Sequence, residues 1–368
     1  MNDQVWVIGA TGRTGKAIAT RLHAAGVPLV LVGRNRERLA AVAGELGGAP
    51  RLLVGSLDAV LSGLADDRPA VVVNAVGPFT VTGPQVAQAC PPGVHYVDVA
   101  NELPAVEKIL ALDARATAAG QTLVTGAGFG VLATESVVLR LCGGQPRPAR
   151  VRVDALASVA IEAGVVGAAL AATIVEIVAL GGRQVRGGRL VRSRAAGDYE
   201  RLRTPDGDVL GTGSGANGEL IAAWRASGAD AVVAASPAAP ANPLVRALLP
   251  AVGPIFALPG VGRLTARLVA RIPLKAAQRP RPSSWGHARV QWSSGRVREG
   301  WLRTGDGMDF TAAAAAEVAI RLRRGQGRPG AFTPGALFGF ELAEAAGGEL
   351  QVIDESIPAV STPTEKIG

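Results

Sequence analysis

Three glycines stand three residues apart near the start of the chain. They are Gly9, Gly12 and Gly15, in the stretch "VWVIGATGRTG" from Val5 to Gly15. Where a strand runs into a helix, the first helical N–H groups are unpaired and carry partial positive charge, so a pyrophosphate can lie against them. It can do so only where no side chain blocks the backbone. Gly9 then permits the tight turn, Gly12 the close approach, and Gly15 the packing of helix on strand. Thr11, Arg13 and Thr14 complete this loop as cofactor-binding candidates. A second group follows the next apolar run: Arg34, Asn35 and Arg36. An acid there would bond ribose hydroxyls. A guanidinium instead fits a 2′-phosphate in two-pronged fashion. These residue types select NADP(H) over NAD; the alternative is that both arginines are solvated residues of the following helix.

Two further segments carry candidates. "NAVGPF" contributes Asn74, Ala75, Val76, Gly77 and Pro78, at the end of a Val-rich strand that should face the ligand crevice. Asp58, after the third strand, stands near the adenine or caps a helix. "HYVDVANE" brings His95, Tyr96, Asp98, Asn101 and Glu102 to the end of the fifth strand. Strand alternation puts Tyr96 and Asp98 on one face and His95 on the other. Hydride transfer needs mainly orientation and a protected site. Asp98, Glu102 and Tyr96 are the candidates for orienting a substrate or supplying a proton. The competing reading of Asp98 is that it caps a helix or satisfies backbone groups at the strand end. Trp285 and His287 are candidates for a pocket wall in the second half. Tyr96 and Tyr199 lack a lysine four residues on, His23, His95 and His287 have no metal spacing, and there is no serine nucleophile elbow. No metal site is expected.

The elements that must position these residues alternate. Short strands are expected at 4–9, 28–33, 51–57, 70–79, 93–100 and 121–128, with helices between them, the last one running 103–120. That order implies an α/β protein with a Rossmann-type, doubly wound parallel sheet. "GGQPRPAR" at 143–150 marks a boundary. Beyond it come a strand at 151–160, an Ala-rich helix at 165–180, hairpins within 183–214, a helix at 218–228, a strand at 230–236, a hairpin at 287–305 and a helix at 310–325. The proline-rich stretch 237–282 suits a lid, a substrate wall or a dimer surface.

Composition narrows the partners. The chain has 368 residues and a net charge of +8, carried mostly by dispersed arginine. No basic stripe is interleaved with aromatics, which argues against nucleic acid. The longest apolar stretch, 163–182, contains Glu176 and reads as a buried helix, so no integral membrane segment is expected. Two cysteines, Cys90 and Cys142, fit thiols in a reducing compartment. No secretion signal is visible, and the cytoplasm is the expected location.

"GATGRTG", "GRNRERL", "VVVNAVGPF", "HYVDVANE" and "GAGFG", in that order, resemble the saccharopine dehydrogenase-like NAD(P)-binding family, in particular its trans-acting enoyl reductase-like branch. The likeness covers residues 4–140; "GGRQVRGGRLV" at 181–191 and "TPGALFGFEL" at 333–342 share it more weakly. It implies an NADP-binding domain over 1–145 and an inserted second α/β domain over 146–330 for substrate and dimerisation. A C-terminal segment, 331–368, would return to the first domain. It also implies an NADPH-dependent reductase that passes hydride to a polarised C=C (enoyl) or C=N (imine) bond of a small or carrier-borne metabolite in biosynthesis. A homodimer is the implied assembly. Residues that would grip a dicarboxylic amino acid are not identifiable. The alternative is a non-catalytic NADP-binding regulator or assembly protein.

Overall fold

The computed structural model describes residues 2–161, 163–237 and 260–353, together with 242, 244, 255, 256 and 258. The chain begins with strands β1 (Asn2–Ile8), β2 (Leu29–Gly33), β3 (Arg51–Val54), β4 (Pro69–Asn74), β5 (His95–Asp98) and β6 (Thr122–Val124). Between them run α1 (Arg13–Ala24), α2 (Arg36–Glu45), α3 (Leu57–Ser62), α4 (Leu64–Asp67), α5 (Phe79–Ala89), α6 (Leu103–Leu110) and α7 (Asp113–Ala118). The helix expected over 103–120 is therefore two. The break falls where Asp113 accepts the N–H of Ala331, which joins this corner to the far end of the chain.

Helix α8 (Phe129–Cys142) leads into the second layer. That layer contains β7 (Arg150–Leu156), β8 (Gly164–Val165), α9 (Ala168–Leu180), β9 (Gly182–Arg186), β10 (Arg189–Ser193), β11 (Glu200–Arg203) and β12 (Val209–Ser214). It continues with α10 (Gly218–Ser227), β13 (Ala231–Ser236), α11 (Val261–Val269), β14 (Pro273–Leu274), β15 (Ser284–Gln291) and β16 (Val297–Thr304). The expected proline-rich segment at 237–282 lies partly outside the described residues. The chain ends with α12 (Gly307–Arg323), β17 (Gly330–Phe332), α13 (Pro334–Phe338), α14 (Glu341–Ala345) and β18 (Glu349–Ile353).

The first sheet has the order β17-β6-β5-β4-β1-β2-β3, with every pairing parallel. Its central strands are valine runs, and Val5, Val7, Val71, Val72 and Val73 have no exposed surface. Strands covered by helices on both faces need such continuous apolar sequence. The strand order reverses direction between β1 and β4. In an open parallel sheet the ligand crevice opens at that reversal, outside the carboxyl ends of the strands.

The second sheet is mixed and nine-stranded, with β7 between β13 and β15. Helix α8 lies between the two sheets. Ten of its residues, from Phe129 to Leu141, are buried, seven of them apolar, as suits a helix covered on most sides. Two glycines let the second sheet approach it. A β-carbon on Gly286 would stand 2.8 Å from Cβ of Ala133, and one on Gly300 2.9 Å from Cγ1 of Val137. After residue 306 the chain returns to the first layer, but only in part: the segment expected to close on that layer from 331 onward ends in β18, which pairs with β16 of the second sheet. Helix α12 packs on α1 and β4, and β17 pairs with β6.

Candidate active site

The glycine loop has the geometry expected of an anion cradle. Gly9 has φ +86°, and a β-carbon there would stand 2.7 Å from Cγ2 of Val76. Gly12 is the residue before α1, and its N–H donates to the Gly9 carbonyl at 2.9 Å. A β-carbon at Gly12 would meet no atom closer than the Gly9 oxygen at 3.4 Å, so the space in front of it is open. The first turn of α1 holds no acidic residue. A pyrophosphate fits this cradle: the backbone is bare, the helix N-terminus faces it, and no carboxylate of that turn opposes it.

Other members of the loop do different work. Arg13 donates from Nη1 to the carbonyl of Ala160 at 2.9 Å, tying the second layer to the glycine loop. Arg34 and Arg36 are exposed, and neither has a carboxylate partner among the described residues. They stand at the carboxyl end of β2, where a 2′-phosphate would meet a free guanidinium. Asn35 between them is the cap of α2 and accepts the N–H of Arg38 at 2.9 Å, so its side chain is committed to the helix. Asp58 lies in the first turn of α3, exposed, and accepts from Gln85 Nε2 at 2.8 Å. Thr11 and Thr14 are half-buried at the loop.

Asn74 is wholly buried at the end of β4. Its Oδ1 accepts the N–H of Val76 at 3.0 Å, and its Nδ2 donates to Thr82 Oγ1 and Tyr96 Oη, each at 3.3 Å. The side chain shapes the 75–78 turn rather than presenting itself to a ligand. Ala75, Val76, Gly77 and Pro78 form that turn with a cis Gly77–Pro78 bond, half-buried beside the glycine loop.

The three catalytic candidates are differently employed. Asp98 has no exposed surface and accepts four bonds: from Tyr96 Oη at 2.9 Å, Thr125 Oγ1 at 2.9 Å, and the N–H groups of Ala100 and Gly126 at 3.0 Å. Burial raises its pKa while these donors hold it down. Tyr96, also fully buried, is pushed well above the usual phenol range by burial and by the Asp98 carboxylate. The geometry therefore favours the competing reading of Asp98, as the partner of backbone groups at the strand end, with Tyr96 serving it. Glu102 is 3% exposed and bridges the layers: Oε1 accepts from Thr173 of α9 at 2.6 Å, and Oε2 from the N–H of Asn101 at 3.1 Å. A second tie runs alongside, from Thr80 Oγ1 to Glu176 at 2.9 Å.

Trp285 and His287 do not line a pocket at the site. His287 is buried with Nδ1 on Asp154 at 2.9 Å and Nε2 on Glu299 at 3.0 Å. Burial works against its charge, but these two carboxylates win and raise its pKa. Trp285 donates to Asp206 at 3.1 Å and packs edge-on against Trp301. Both belong to the interior of the second layer. His95 is likewise structural: its Nδ1 accepts the N–H of Thr122 at 3.0 Å.

Sequence reasoning named Asn101 but missed the group it belongs to. A cavity of about 760 Å³ lies between the layers, in the usual size range of small-molecule sites. Asn101, Phe129 and Gly130, beyond the ends of β5 and β6, form one wall; Ala155, Ser214 and Glu219 of the second layer help form the other. Glu219 is 2% exposed, and burial raises its carboxyl pKa to about 7. With the amide oriented to satisfy both groups, Asn101 Nδ2 donates to Glu219 Oε2 at 2.8 Å. Gly130 leaves room for it: a β-carbon there would stand 2.2 Å from Oε1 and displace the carboxyl group. In the sequence Glu219 is only an acid in the first turn of a helix. What places it is the docking of the 215–219 segment on the first layer, where Gly218 N–H donates to the Asn101 carbonyl at 2.8 Å and Glu102 bridges to Asn217.

A parallel sheet of order 3-2-1-4-5-6, a bare glycine cradle at its reversal and free arginines at the end of β2 define a dinucleotide-binding fold. The family described as saccharopine dehydrogenase NADP binding domain matches residues 5–124. Residues 5–124 belong to that family, and NADP(H) is the cofactor of this domain. The whole chain is similar in fold to apo saccharopine dehydrogenase (L-Glu forming) from Saccharomyces cerevisiae. That likeness has 13% identity, covers 95% of this chain and 99% of that one, and has a TM-score of 0.59. A segment of 66 residues is 44% identical to a sulfoacetaldehyde reductase from Chromohalobacter salexigens. It covers 18% of this chain and 26% of that protein, so the match reaches about a quarter of the relative's length. Among the described residues, no helix is long and apolar enough to cross a membrane, and no cluster of His, Cys, Asp or Glu could hold a metal ion.

Proposed function

We propose that the protein is an NADPH-dependent reductase that works on a small metabolite held in the interdomain cavity. One observation carries this reading: the cavity adjoins the carboxyl ends of β5 and β6, on the side of the switch point away from the β2 arginines. Arg34 would hold the 2′-phosphate and Gly12 the pyrophosphate, which would leave the rest of a dinucleotide to the β4 and β5 side of the switch point. The bound cofactor supplies a hydride to a polarised double bond. The chain's own residues bind and orient. The glycine loop and the N-terminus of α1 hold the pyrophosphate, and Arg34 and Arg36 read the phosphate on the ribose. The 75–78 turn, fixed by Asn74, would bear on the nicotinamide half. The Glu102–Thr173 and Thr80–Glu176 bonds hold α9 across the crevice and limit access of water. The bond reduced is C=C or C=N, as in the enoyl and imine reductions the sequence resemblance implies.

The test is a fluorescence titration with NADPH and NADH, followed by a screen of enoyl, imine and keto compounds for NADPH consumption. Selective NADPH binding with turnover supports the reading. NADPH binding without turnover across all three classes would favour a cofactor-sensing regulator or assembly protein. Binding of neither nucleotide would remove the reading altogether.

A further inference from the structure

Buried carboxylates in this protein fall into two kinds. Asp98 accepts four hydrogen bonds. Glu135 accepts from Thr333 Oγ1 and from the N–H groups of Gly335 and Ala336, which pins the start of α13. Asp98 has its four positions filled and Glu135 three, all by fixed donors, and neither borders the interdomain cavity. Glu219 is the other kind. It is influenced by burial, by its own backbone N–H and by the Asn101 amide, and it forms part of the cavity wall. A carboxyl group offers about four acceptor positions, or a donor and acceptors when protonated. Glu219 therefore has capacity left for a ligand at the cavity, where Asp98 is filled and Glu135 is engaged away from it.

The rest of the wall says what that ligand is. Among the described lining residues there is no lysine, arginine or histidine. Phe129, Val178, Pro237 and a set of alanines and glycines make most of it, with a few uncharged polar groups such as Asn217. An anion placed there would meet a carboxyl group and no counter-charge, and burying an unpaired charge is strongly unfavourable.

We propose that Glu219, oriented by Asn101, is the proton donor of this site, and that the substrate part held in the cavity is uncharged and largely apolar. This rests on the reductase reading above. With the hydride the substrate gains two electrons and a new C–H bond. The π bond breaks, and its electron pair takes the proton of Glu219, which is left as carboxylate and is recharged from solvent. A carboxyl titrating near neutrality suits that exchange. The missing β-carbon at Gly130 leaves the carboxyl room, and the Asn101 amide steadies the carboxylate that remains.

The test uses the full chain, with and without NADPH, and two probes of equal length, decanamide and decanoate. Ligand-detected saturation-transfer NMR at pH 8 should show decanamide bound and decanoate at least tenfold weaker. In Glu219→Gln the discrimination should shrink and its pH dependence vanish, with NADPH affinity unchanged. With trans-2-decenal as a reducible probe, Glu219→Gln should lower kcat by a factor on the order of 10²–10³ and flatten the pH profile near neutrality; Glu219→Asp should recover part of it. Equal binding of decanoate and decanamide, or wild-type pH dependence in Glu219→Gln, would overturn the assignment while NADPH still binds. Failure to bind NADPH would instead overturn the reading on which it rests.

Discussion

Gly15 stands against the carbonyl of Gly9: a β-carbon at position 15 would lie 2.2 Å from that oxygen and 2.8 Å from its carbon. A β-carbon at Gly12 would meet the same oxygen at 3.4 Å, an ordinary contact, and among the described residues outside its own turn nothing nearer. The two glycines thus serve different ends, one the fold and one the ligand. Gly15→Ala should destabilise by about 1–3 kcal/mol through overpacking against backbone, seen as a lowered Tm. Gly12→Ala should leave Tm nearly unchanged and weaken NADPH binding at least tenfold in a fluorescence titration. A normal NADPH affinity in Gly12→Ala would remove the close approach from that position.

Arg34 is exposed, and among the described residues it has no carboxylate partner at the end of β2. Charge-assisted hydrogen bonds contribute about 1.5–3 kcal/mol each. Arg34→Ala should therefore raise the Kd for NADPH by roughly 10–100-fold and leave the Kd for NADH within a factor of two or so. Equal losses for both nucleotides would mean that Arg34 does not read the 2′-phosphate.

Asp98 answers to two backbone N–H groups and two hydroxyls inside the first layer. Asp98→Ala should leave these donors buried and unsatisfied and cost about 3–5 kcal/mol, measured by denaturant unfolding. A purely catalytic role would give the opposite pattern, an intact unfolding midpoint with a large loss of kcat.

Glu135 and Glu219 both have carboxyl pKa values raised to about 7 by burial, from 4.5. The folded state then binds more protons than the unfolded state between these values. Stability should fall as pH rises through this window and level off above it, with a contribution on the order of 3 kcal/mol per group. His287, whose pKa is raised, extends the same trend, since its contribution is present below its unfolded value and lost as pH rises through the folded one. Melting curves from pH 5 to 8 should show a declining Tm, and Glu135→Gln and Glu219→Gln should each reduce the slope. A Tm that rises over this range would contradict the assignment.

The first layer was readable in the sequence because its signals are local. Gly9 before α1, the valine run of β4 and the arginines after β2 each announce their place within a few residues. The cavity was not readable, because its parts come from distant segments. Asn101, Gly130 and Glu219 are brought together only by the docking of 215–219 on the loop after β5. Spacing marked Asp98 and Glu102 as acids near a strand end, but it could not show which partners would occupy them. Thr125 and Gly126 take up Asp98, and Thr173 takes up Glu102. Alternation along β15 likewise gave no sign that His287 would be shut between Asp154 and Glu299.

Strand β17 and helix α12 have a consequence for the order of events in synthesis. Helix α12 covers α1 and β4, and β17 closes the free side of β6, yet about two hundred residues separate β6 from β17. A nascent chain that has delivered all of β1 to β6 still lacks an edge strand and a covering helix of its nucleotide layer. The cofactor half is therefore completed only after the second layer has emerged. A truncation near residue 145 should yield an open-edged, aggregation-prone fragment rather than a small NADP-binding domain.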